Sequence, residues 1–367
     1  MVKHAVSQEQ RATRRARLPE GRLQSWESSL TFLESEAVGP SSRADYTRRI
    51  EKMMTFFRNS KRKFTGTTLD IPVLLEILDV YFFEGRSVDE GKRLVAALKH
   101  HFPQFGVRGS VPTSRLDRAL KGWSRHTLVK PRAPLPWHAA TALIGFFVHQ
   151  HWRQEALALA ILFVCYMRPG ELLALRGKNL IAPMPKSGVI AWTVILRMSE
   201  DFVPTKTGCY DDSLAFDLPR HRWMNRHLLR LKCRTEDESP LWDFTGPSLV
   251  QKLHTAAQSL GLGALDVGLY SFRHGGASAG IMNRDRALDE VKKRLRHTTD
   301  TSTRRYEKAG RLANELRNIP ESTRNFGAQV ASIIDPLLFG DAQPPLLPGR
   351  CTTDCSTVSV KRAKLAL

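Results

Sequence analysis

The first third of the chain has the apolar spacing of amphipathic helices. Apolar residues recur about one helical turn apart over Tyr46–Phe57, which predicts a helix whose start is capped within residues 41–45. A second apolar run covers residues 74–83, and Ser87–Glu90 has the pattern of a capping box that begins a third helix. The spacing therefore predicts a helical domain over residues 24–128.

Three other stretches of the chain do not have this pattern. Residues 1–23 are polar and arginine-rich, and predict a basic, flexible arm. Residues 129–136 contain three prolines, which keep the preceding residues out of helices and predict an extended linker. Residues 341–367 are rich in proline, serine and threonine and predict a disordered tail.

Residues 137–320 mix helical and strand patterns and form the second predicted domain. Apolar helices are predicted over 139–149 and 154–166. The clearest strand covers 188–198, where Val, Ile, Trp and Thr are concentrated, and a second covers 213–216. A small antiparallel sheet surrounded by helices is typical of an α+β domain, so the predicted fold is mainly α with a small antiparallel sheet.

The balance of charge narrows the class of partner. The 367 residues include 56 Lys and Arg against 36 Asp and Glu, a net charge of +20. Residues 1–130 hold 24 of the basic and 14 of the acidic residues, so residues 1–130 and residues 131–367 each have a net charge of +10. Two basic domains favour a protein that surrounds a polyanion such as DNA. The alternative is a basic protein without a specific partner.

The cysteines and the apolar runs indicate a soluble intracellular protein. Five cysteines without a framework spacing favour a reducing compartment. The best apolar run, Ala156–Met167, is too short for the roughly 20 residues that span a bilayer. We therefore expect no membrane association.

Two clusters of candidate chemistry lie near predicted helix starts. Arg168 follows an apolar helix, and Pro169 suits the first turn of the next one. In the second cluster Ser271 is expected to cap a helix, which places Tyr270 and Arg273 at its positive end, where a phosphate binds well. The alternatives are a surface or capping role for the first arginine and a packing role for the second cluster.

The second cluster continues with a glycine pair, residues 275 and 276, which follows His274 and lets another backbone approach closely.

The third cluster is His297 with Tyr306 nine residues later, among five Ser or Thr hydroxyls and four arginines. Such polar surroundings predict that Tyr306 is not a core residue. Its alternative interpretation is a surface tyrosine on a helix.

The order and spacing of these residues resemble the tyrosine recombinase (phage integrase) family. The first box of that family, Arg-x-x-Glu-Leu, is matched by Arg168, Glu171 and Leu172. Its second box, His-x-x-Arg-His, is matched at the last two positions by Arg273 and His274. The remaining matches are His297 for the third-box histidine, Tyr306 for the nucleophile nine residues later, and Lys206 for the lysine of the β-hairpin loop.

Two positions depart from the family pattern. Tyr270 replaces the first histidine of the second box; it can donate a hydrogen bond to phosphate but cannot act as an imidazole acid. Arg296 replaces the glycine that precedes the third-box histidine. This arginine either presses on the turn before His297 or adds a phosphate contact.

The resemblance implies metal-free cleavage of DNA, with no cofactor. Tyr306 would attack the phosphate and form a 3′-phosphotyrosine, while Arg168 and Arg273 stabilise charge on the non-bridging oxygens. His297 would assist the tyrosine or hold the phosphate, and Lys206 would protonate the leaving 5′-oxygen. Glu171 and His274 would support the site.

The function implied by the resemblance is site-specific recombination or integration of double-stranded DNA, in the manner of a mobile element. The expected assembly is a homo-tetramer on DNA formed from monomers in solution, in which a C-terminal helix over 321–340 docks on a neighbouring subunit. The expected location is intracellular and DNA-associated, and nuclear in a eukaryotic host. Two alternatives stay open: a DNA-binding protein that no longer cuts, favoured by Tyr270, and a type IB topoisomerase-like enzyme.

Overall fold

The structure, a computed structural model, describes residues 31–127, 134–201, 210–307 and 309–348. Its contacts divide the chain into two compact units, Met1–Lys130 and Pro131–Leu367. Each unit has its own hydrophobic core. Within the described residues, no helix combines the length and the apolar character needed to cross a bilayer.

The first unit is built from helices. They are α1 (Phe32–Ser35), α2 (Pro40–Asn59), α3 (Ile71–Phe83), α4 (Val88–His101) and α5 (Ser114–His126). The apolar stripe of each longer helix faces the others, as its spacing predicts. The buried side chains include Met53, Phe57, Leu74, Ile77, Leu94, Leu98, Leu116 and Trp123.

The start of α2 differs from the prediction. The helix begins at Pro40, with Gly39 as its N-cap, so the cap predicted within residues 41–45 is wrong. Proline suits the first helical position because its φ is already helical and it has no N–H to leave unpaired. Ser87 is the N-cap of α4, as predicted, but its side chain makes no capping hydrogen bond.

The described part of the second unit contains two central helices, the first two along the chain, and nine others that surround them. In chain order the helices are α6 (Trp137–His149), α7 (Arg153–Cys165), α8 (Pro169–Leu173), α9 (Met224–Arg234), α10 (Gly246–Ser259), α11 (Leu269–Met282), α12 (Leu288–Leu295), α13 (Asp300–Thr303), α14 (Ala309–Arg317), α15 (Glu321–Ser332) and α16 (Ile334–Phe339). Every residue from Ala139 to Val148 and from Glu155 to Cys165 is buried. Because α6 and α7 have no polar face, they form the centre of this unit.

A three-stranded antiparallel sheet lies between α8 and α9 in the chain. Its strands, in spatial order, are β1 (Leu180–Ile181), β2 (Thr193–Leu196) and β3 (Asp212–Ala215). The strand predicted over 188–198 is therefore too long, and β1 was not predicted. Gly188 has a φ of +80° and ends a tight turn, so the chain becomes extended only after it. The helical architecture with a small antiparallel sheet is confirmed.

The C-terminal segment 321–340 is two helices, not one. A break at Ile333 separates α15 from α16, and Pro336 in the first turn of α16 has no N–H to continue the α15 ladder. The apolar residues Val330, Leu337 and Leu338 are buried within this chain. Helix α15 lies close to α6, since a Cβ on Gly327 would be 1.9 Å from the His138 carbonyl oxygen.

Part of the tail predicted to be disordered has a defined place. In residues 341–348, Asp341 pairs with Arg226 at 2.7 Å, and the Pro345 carbonyl oxygen hydrogen-bonds to the His149 ring. Residues 349–367 lie outside the described residues, as do the predicted basic arm and most of the predicted linker.

Candidate active site

Arg168 lies at a sharp junction between two helices. Helix α7 ends at Cys165, Tyr166 follows in the left-handed region with a φ of 53°, and Arg168 is the N-cap of α8. Pro169 occupies the first helical position, as predicted. The chain changes direction at this junction, between the end of α7 and the start of α8. Only 16% of the Arg168 side chain is exposed.

The Glu171 carboxylate holds Arg168 at two points. Its Oε2 accepts a hydrogen bond from the Arg168 backbone N–H at 2.8 Å, and its Oε1 accepts one from Arg168 Nη1 at 2.7 Å. Charge-assisted bonds of this kind are short and directional. Since Glu171 itself is buried, the backbone and the guanidinium of Arg168 are restrained together.

Arg273 lies in the second turn of α11 and is 3% exposed. Its Nη1 donates to the Tyr166 carbonyl oxygen at 2.5 Å and its Nη2 to the Leu295 carbonyl oxygen at 2.6 Å. Burial lowers the pKa of Arg273; the nearby Tyr306 phenol opposes this effect, and the positive charge of Arg168 adds to it. The guanidinium therefore joins the ends of α7 and α12 next to Tyr306.

The start of α11 differs from the prediction in one respect. Its N-cap is Gly268, and Ser271 is the third helical residue, whose Oγ accepts a hydrogen bond from the Gly268 N–H at 3.1 Å. The predicted cap at Ser271 is therefore wrong. The close approach predicted for the glycine pair is confirmed, because a Cβ on Gly276 would lie 1.9 Å from the Phe163 carbonyl oxygen.

Tyr306 is a buried residue, contrary to the prediction from its polar neighbours. It ends a 3₁₀ turn, Arg304–Tyr306, that directly follows α13. Its side chain is 5% exposed and shares a small apolar cluster with Ala277 of α11 and Leu295 of α12. Ser278 Oγ donates to the Tyr306 carbonyl oxygen at 2.9 Å, which ties this turn to α11.

Two imidazole rings lie next to the Tyr306 ring. His274 is stacked on it, with ring centroids 4.8 Å apart and an interplanar angle of 24°. His297 lies at 5.7 Å and 33°, and its Nδ1 is 3.3 Å from Thr303 Oγ1. Because α12 ends before His297 and α13 turns the chain back, the nine-residue spacing brings Tyr306 to His297.

Arg296 occupies a backbone position that favours glycine. It follows α12 with a φ of 55°, and the resemblance to tyrosine recombinases implies glycine there. Its side chain, 6% exposed, hydrogen-bonds to Glu171 Oε2, and its Nη1 donates to the Arg294 carbonyl oxygen at 3.0 Å. Burial lowers the pKa of Arg296 to about 10, although the Glu171 carboxylate opposes this shift.

The Arg296 side chain is therefore turned inward to Glu171, a contact that the sequence did not predict. The two residues are 125 positions apart, and no local pattern links them. Ser278 and Thr303 were also missed as supports of Tyr306 and His297. A signal in the sequence was that Arg296 stands where the resemblance to tyrosine recombinases implies glycine.

A buried polar layer lies beneath these residues. Arg294 donates to the Ala215 carbonyl oxygen of β3 at 2.6 Å and approaches the Cys165 sulfur at 4.0 Å. Burial raises the pKa of the Cys165 thiol to about 11, so this cysteine is a neutral packing residue. The layer attaches the sheet to α7 and α12, the elements that position Arg168 and His297.

The structure thus brings together six of the eight predicted site residues: Arg168, Glu171, Arg273, His274, His297 and Tyr306. Tyr270 is on the first turn of α11, one turn before Arg273, and is 42% exposed. Lys206 lies within residues 202–209, outside the described residues.

Comparison with known proteins rests on structure. No protein-family model and no curated protein matches the sequence. The chain is similar to the XerH site-specific recombinase bound to difH substrate in a pre-cleavage complex, with 17% identity and a TM-score of 0.51 over 77% of this chain and 80% of that one. The XerH post-cleavage complex gives 17% identity and a TM-score of 0.49 over 67% and 71%.

The XerA recombinase gives 14% identity and a TM-score of 0.37 over 78% of this chain and 94% of that one. The fold is established by the XerH pre-cleavage complex. The helical units and the small antiparallel sheet of this chain are consistent with that similarity. This chain therefore has the fold of the tyrosine recombinases.

Proposed function

We propose that this protein is a site-specific DNA recombinase that cleaves and rejoins strands through a 3′-phosphotyrosine intermediate. One arrangement carries the proposal. The buried Tyr306 side chain lies close enough to Arg273 to oppose the lowering of the Arg273 pKa, is adjacent to the His297 ring, and belongs to the same charged cluster as Arg168. A tyrosine placed among guanidiniums and an imidazole is suited to attack a phosphodiester.

In the proposed step the Tyr306 phenolic oxygen forms a bond to phosphorus while the bond from phosphorus to the 5′-oxygen breaks. The phenolic proton passes to His297 or to water, and Lys206 supplies a proton to the 5′-oxygen that leaves. Attack by a 5′-hydroxyl of the partner strand reverses the step and releases Tyr306. The phosphodiester bond energy is kept in the phosphotyrosine throughout.

Two guanidiniums supply the charge for this reaction. Arg168 and Arg273 offer fixed N–H donors to the non-bridging oxygens, where negative charge grows in the transition state. Both are held before DNA arrives, the first by Glu171 and the second by the Tyr166 and Leu295 carbonyl oxygens. Since these arginines do the charge work, we propose that the cleavage needs no metal ion.

The proposed partner is double-stranded DNA, contacted mainly at its phosphates. The net charge of +20 supports this, as does an exposed basic stripe on α5. The members of that stripe are Arg115, Arg118, Lys121 and Arg125. Exchange between two duplexes requires several active sites, so we propose a homo-tetramer on DNA and a DNA-associated location in the cell.

Tyr270 favours a second candidate function, DNA binding without cleavage. It takes the place of a histidine in the resemblance to tyrosine recombinases, and its phenol is exposed at the start of α11. A phenol at that point can hold a phosphate but does not replace an imidazole as an acid near neutral pH.

A trapping experiment separates the candidates. A library of nicked duplexes with random central sequence is incubated with the full chain, so that a short 5′-hydroxyl strand diffuses away after cleavage. Denaturing gels then detect covalent protein–DNA adducts. We expect an adduct from the wild type, none from Tyr306→Phe, and a nucleotide on Tyr306 in the peptide map.

The other outcomes are equally informative. DNA binding by the wild type without any adduct rejects the proposed function and supports the binding-only candidate. Adducts on every sequence, together with relaxation of supercoiled plasmid by the monomer, support a type IB topoisomerase-like activity. An adduct on a residue other than Tyr306 rejects the assigned nucleophile.

A further inference from the structure

The Glu171 carboxylate binds two arginines, Arg168 and Arg296, and only Arg168 has a role in the proposed cleavage step. Arg168 uses its backbone N–H and its Nη1, and Arg296 binds the same carboxylate oxygen as the Arg168 N–H. The three residues come from α8 and from the turn after α12. They form a continuous chain of contacts from the His297 turn to Arg168.

We propose that Arg296 is a positioning residue for DNA cleavage: its guanidinium fixes the Glu171 carboxylate, and that carboxylate fixes the backbone and side chain of Arg168. This role rests on the function proposed above. The proposed role does not require Arg296 to contact the phosphate. Arg296 acts through Glu171, and so it determines where the Arg168 guanidinium meets a non-bridging oxygen.

The backbone of Arg296 supports a role for its side chain. A φ of 55° is reached freely by glycine, whereas a residue with a Cβ is disfavoured there. An arginine at such a position is more costly than glycine, unless its side chain contributes something that glycine cannot. Observed backbone strain near a cluster of reactive groups is a reason to look for such a contribution.

The surroundings of Arg296 hold its guanidinium in one place. Its side chain is 6% exposed, its Nη1 binds the Arg294 carbonyl oxygen, and its Nε lies 3.9 Å from the Asp212 carboxylate at the start of β3. Asp212 is in the strand that follows residues 202–209. Arg296 therefore joins α8, the base of the hairpin and the His297 turn.

Charge gives Arg296 a second effect on the same site. Arg168, Arg273 and Arg296 place three positive charges around the single carboxylate of Glu171. If Arg296 were absent, only Arg168 and Arg273 would balance Glu171, and less positive potential would remain for the phosphate. By balancing the negative charge of the Glu171 carboxylate, Arg296 also leaves the positive charge of Arg168 available for the DNA phosphate.

The test compares cleavage with binding in the same variants. Arg296→Gly suits the backbone and removes only the side chain, and Arg296→Lys keeps the charge without the planar fork. We expect Arg296→Gly to slow single-turnover adduct formation about 10- to 100-fold, with the affinity for DNA changed less than about threefold. Arg296→Lys should recover part of the rate.

The matched control is Arg284→Gly. Arg284 is also an arginine with a left-handed backbone, with a φ of 56°, but it is exposed in the turn after α11. We expect it to cleave at the wild-type rate. Combining Arg296→Gly with Glu171→Gln should be no slower than the slower single variant, because both act on Arg168 through one contact.

Hydrogen exchange of the Arg168 amide reports positioning directly. Its N–H bonds to Glu171, so Arg296→Gly should speed exchange in the peptide that contains it, and Arg284→Gly should not. Unchanged exchange, or an unchanged cleavage rate in Arg296→Gly, overturns the inference while the proposed function stands. Absence of any adduct from the wild type rejects the proposed function and, with it, this role.

Discussion

The aromatic rings of His274 and Tyr306 are stacked, with centroids 4.8 Å apart and planes at 24°. One ring belongs to α11 and the other to the turn after α13, so the contact crosses between elements. The stack, the 5% exposure of Tyr306 and its position beside Arg273 together restrict where the phenolic oxygen lies. The nucleophile we propose is thus held in place before DNA binds.

The stacking predicts different effects for two substitutions of His274. His274→Phe keeps a flat ring and should cleave at close to the wild-type rate, whereas His274→Ala removes the stack. Aromatic pairs contribute about 0.5–1.5 kcal/mol beyond their burial, so we expect adduct formation by His274→Ala to slow several-fold. Single-turnover gels measure this; equal loss in both variants would show that the imidazole nitrogens matter instead.

Arg273→Lys is expected to damage both stability and cleavage. A lysine ammonium cannot reach the Tyr166 and Leu295 carbonyl oxygens together, so one buried acceptor loses its donor. That loss costs about 1–3 kcal/mol of unfolding free energy, measurable by urea denaturation. Adduct formation should fall about 100- to 1,000-fold. The exposed Arg284→Lys serves as control and should change neither quantity.

Tyr306 and Arg273 interact within one chain, which predicts that cleavage occurs in cis. Tyr306→Phe lacks the nucleophile and should form no adduct alone, whereas Arg273→Lys lacks the guanidinium and should form adducts about 100- to 1,000-fold more slowly than the wild type. A mixture of the two should form no more adduct than Arg273→Lys alone, because each active site is missing one of its own residues. Recovery of adduct in the mixture would mean that a neighbouring subunit supplies the tyrosine.

Removal of metal ions should leave cleavage intact. In the proposed mechanism the charge on the phosphate is stabilised by Arg168 and Arg273, a task that Mg²⁺ performs in many phosphoryl-transfer enzymes. We expect the same single-turnover rate in millimolar EDTA as in Mg²⁺ at matched ionic strength. A loss of adduct in EDTA that is restored by Mg²⁺ would contradict this part of the proposal.

Acidification should destabilise the second unit through His221. Burial, reinforced by the positive charge of Arg220, lowers the pKa of this histidine to about 3. The unfolded chain has a histidine pKa near 6.5, so between these values the unfolded state binds more protons. The stabilisation from keeping His221 neutral is full above pH 6.5 and is lost as the pH falls towards 3.

Between pH 7 and pH 5 this histidine should account for a loss of about 2 kcal/mol in unfolding free energy. Urea denaturation at the two pH values measures the loss. His221→Gln, which retains a hydrogen-bonding side chain that does not titrate, should reduce it. The exposed His254→Gln should leave it unchanged. An equal loss in His221→Gln would show that other groups cause the acid sensitivity.

Local chemistry was sufficient to predict some parts of the site. The apolar run of α7, followed by Arg168 and Pro169, predicts a helix end, a projecting arginine and a new helix, because proline and helix boundaries act over a few residues. The glycine pair at 275 and 276 predicts a close backbone approach for the same reason. Strand β2 was found but overextended, since the turn at Gly188 interrupts a β-prone stretch.

Other parts could not be read from neighbouring residues. The polar surroundings of Tyr306 suggest an exposed side chain, yet it is buried because α11 and α12 pack around it. Cap positions were misjudged at α2 and α11, where Pro40 and Gly268 compete successfully with nearby serines for the helix start.

The sequence by itself determined the helical periodicity, the small sheet, the basic charge and the order of arginine, histidine and tyrosine along the chain. Only the tertiary structure decided that Arg296 meets Glu171, that His274 stacks on Tyr306, and that the apolar side of α15 and α16 is buried within this chain. The reason is physical. Periodicity and capping depend on residues within one or two turns, whereas ion pairs and ring stacks depend on how distant helices pack.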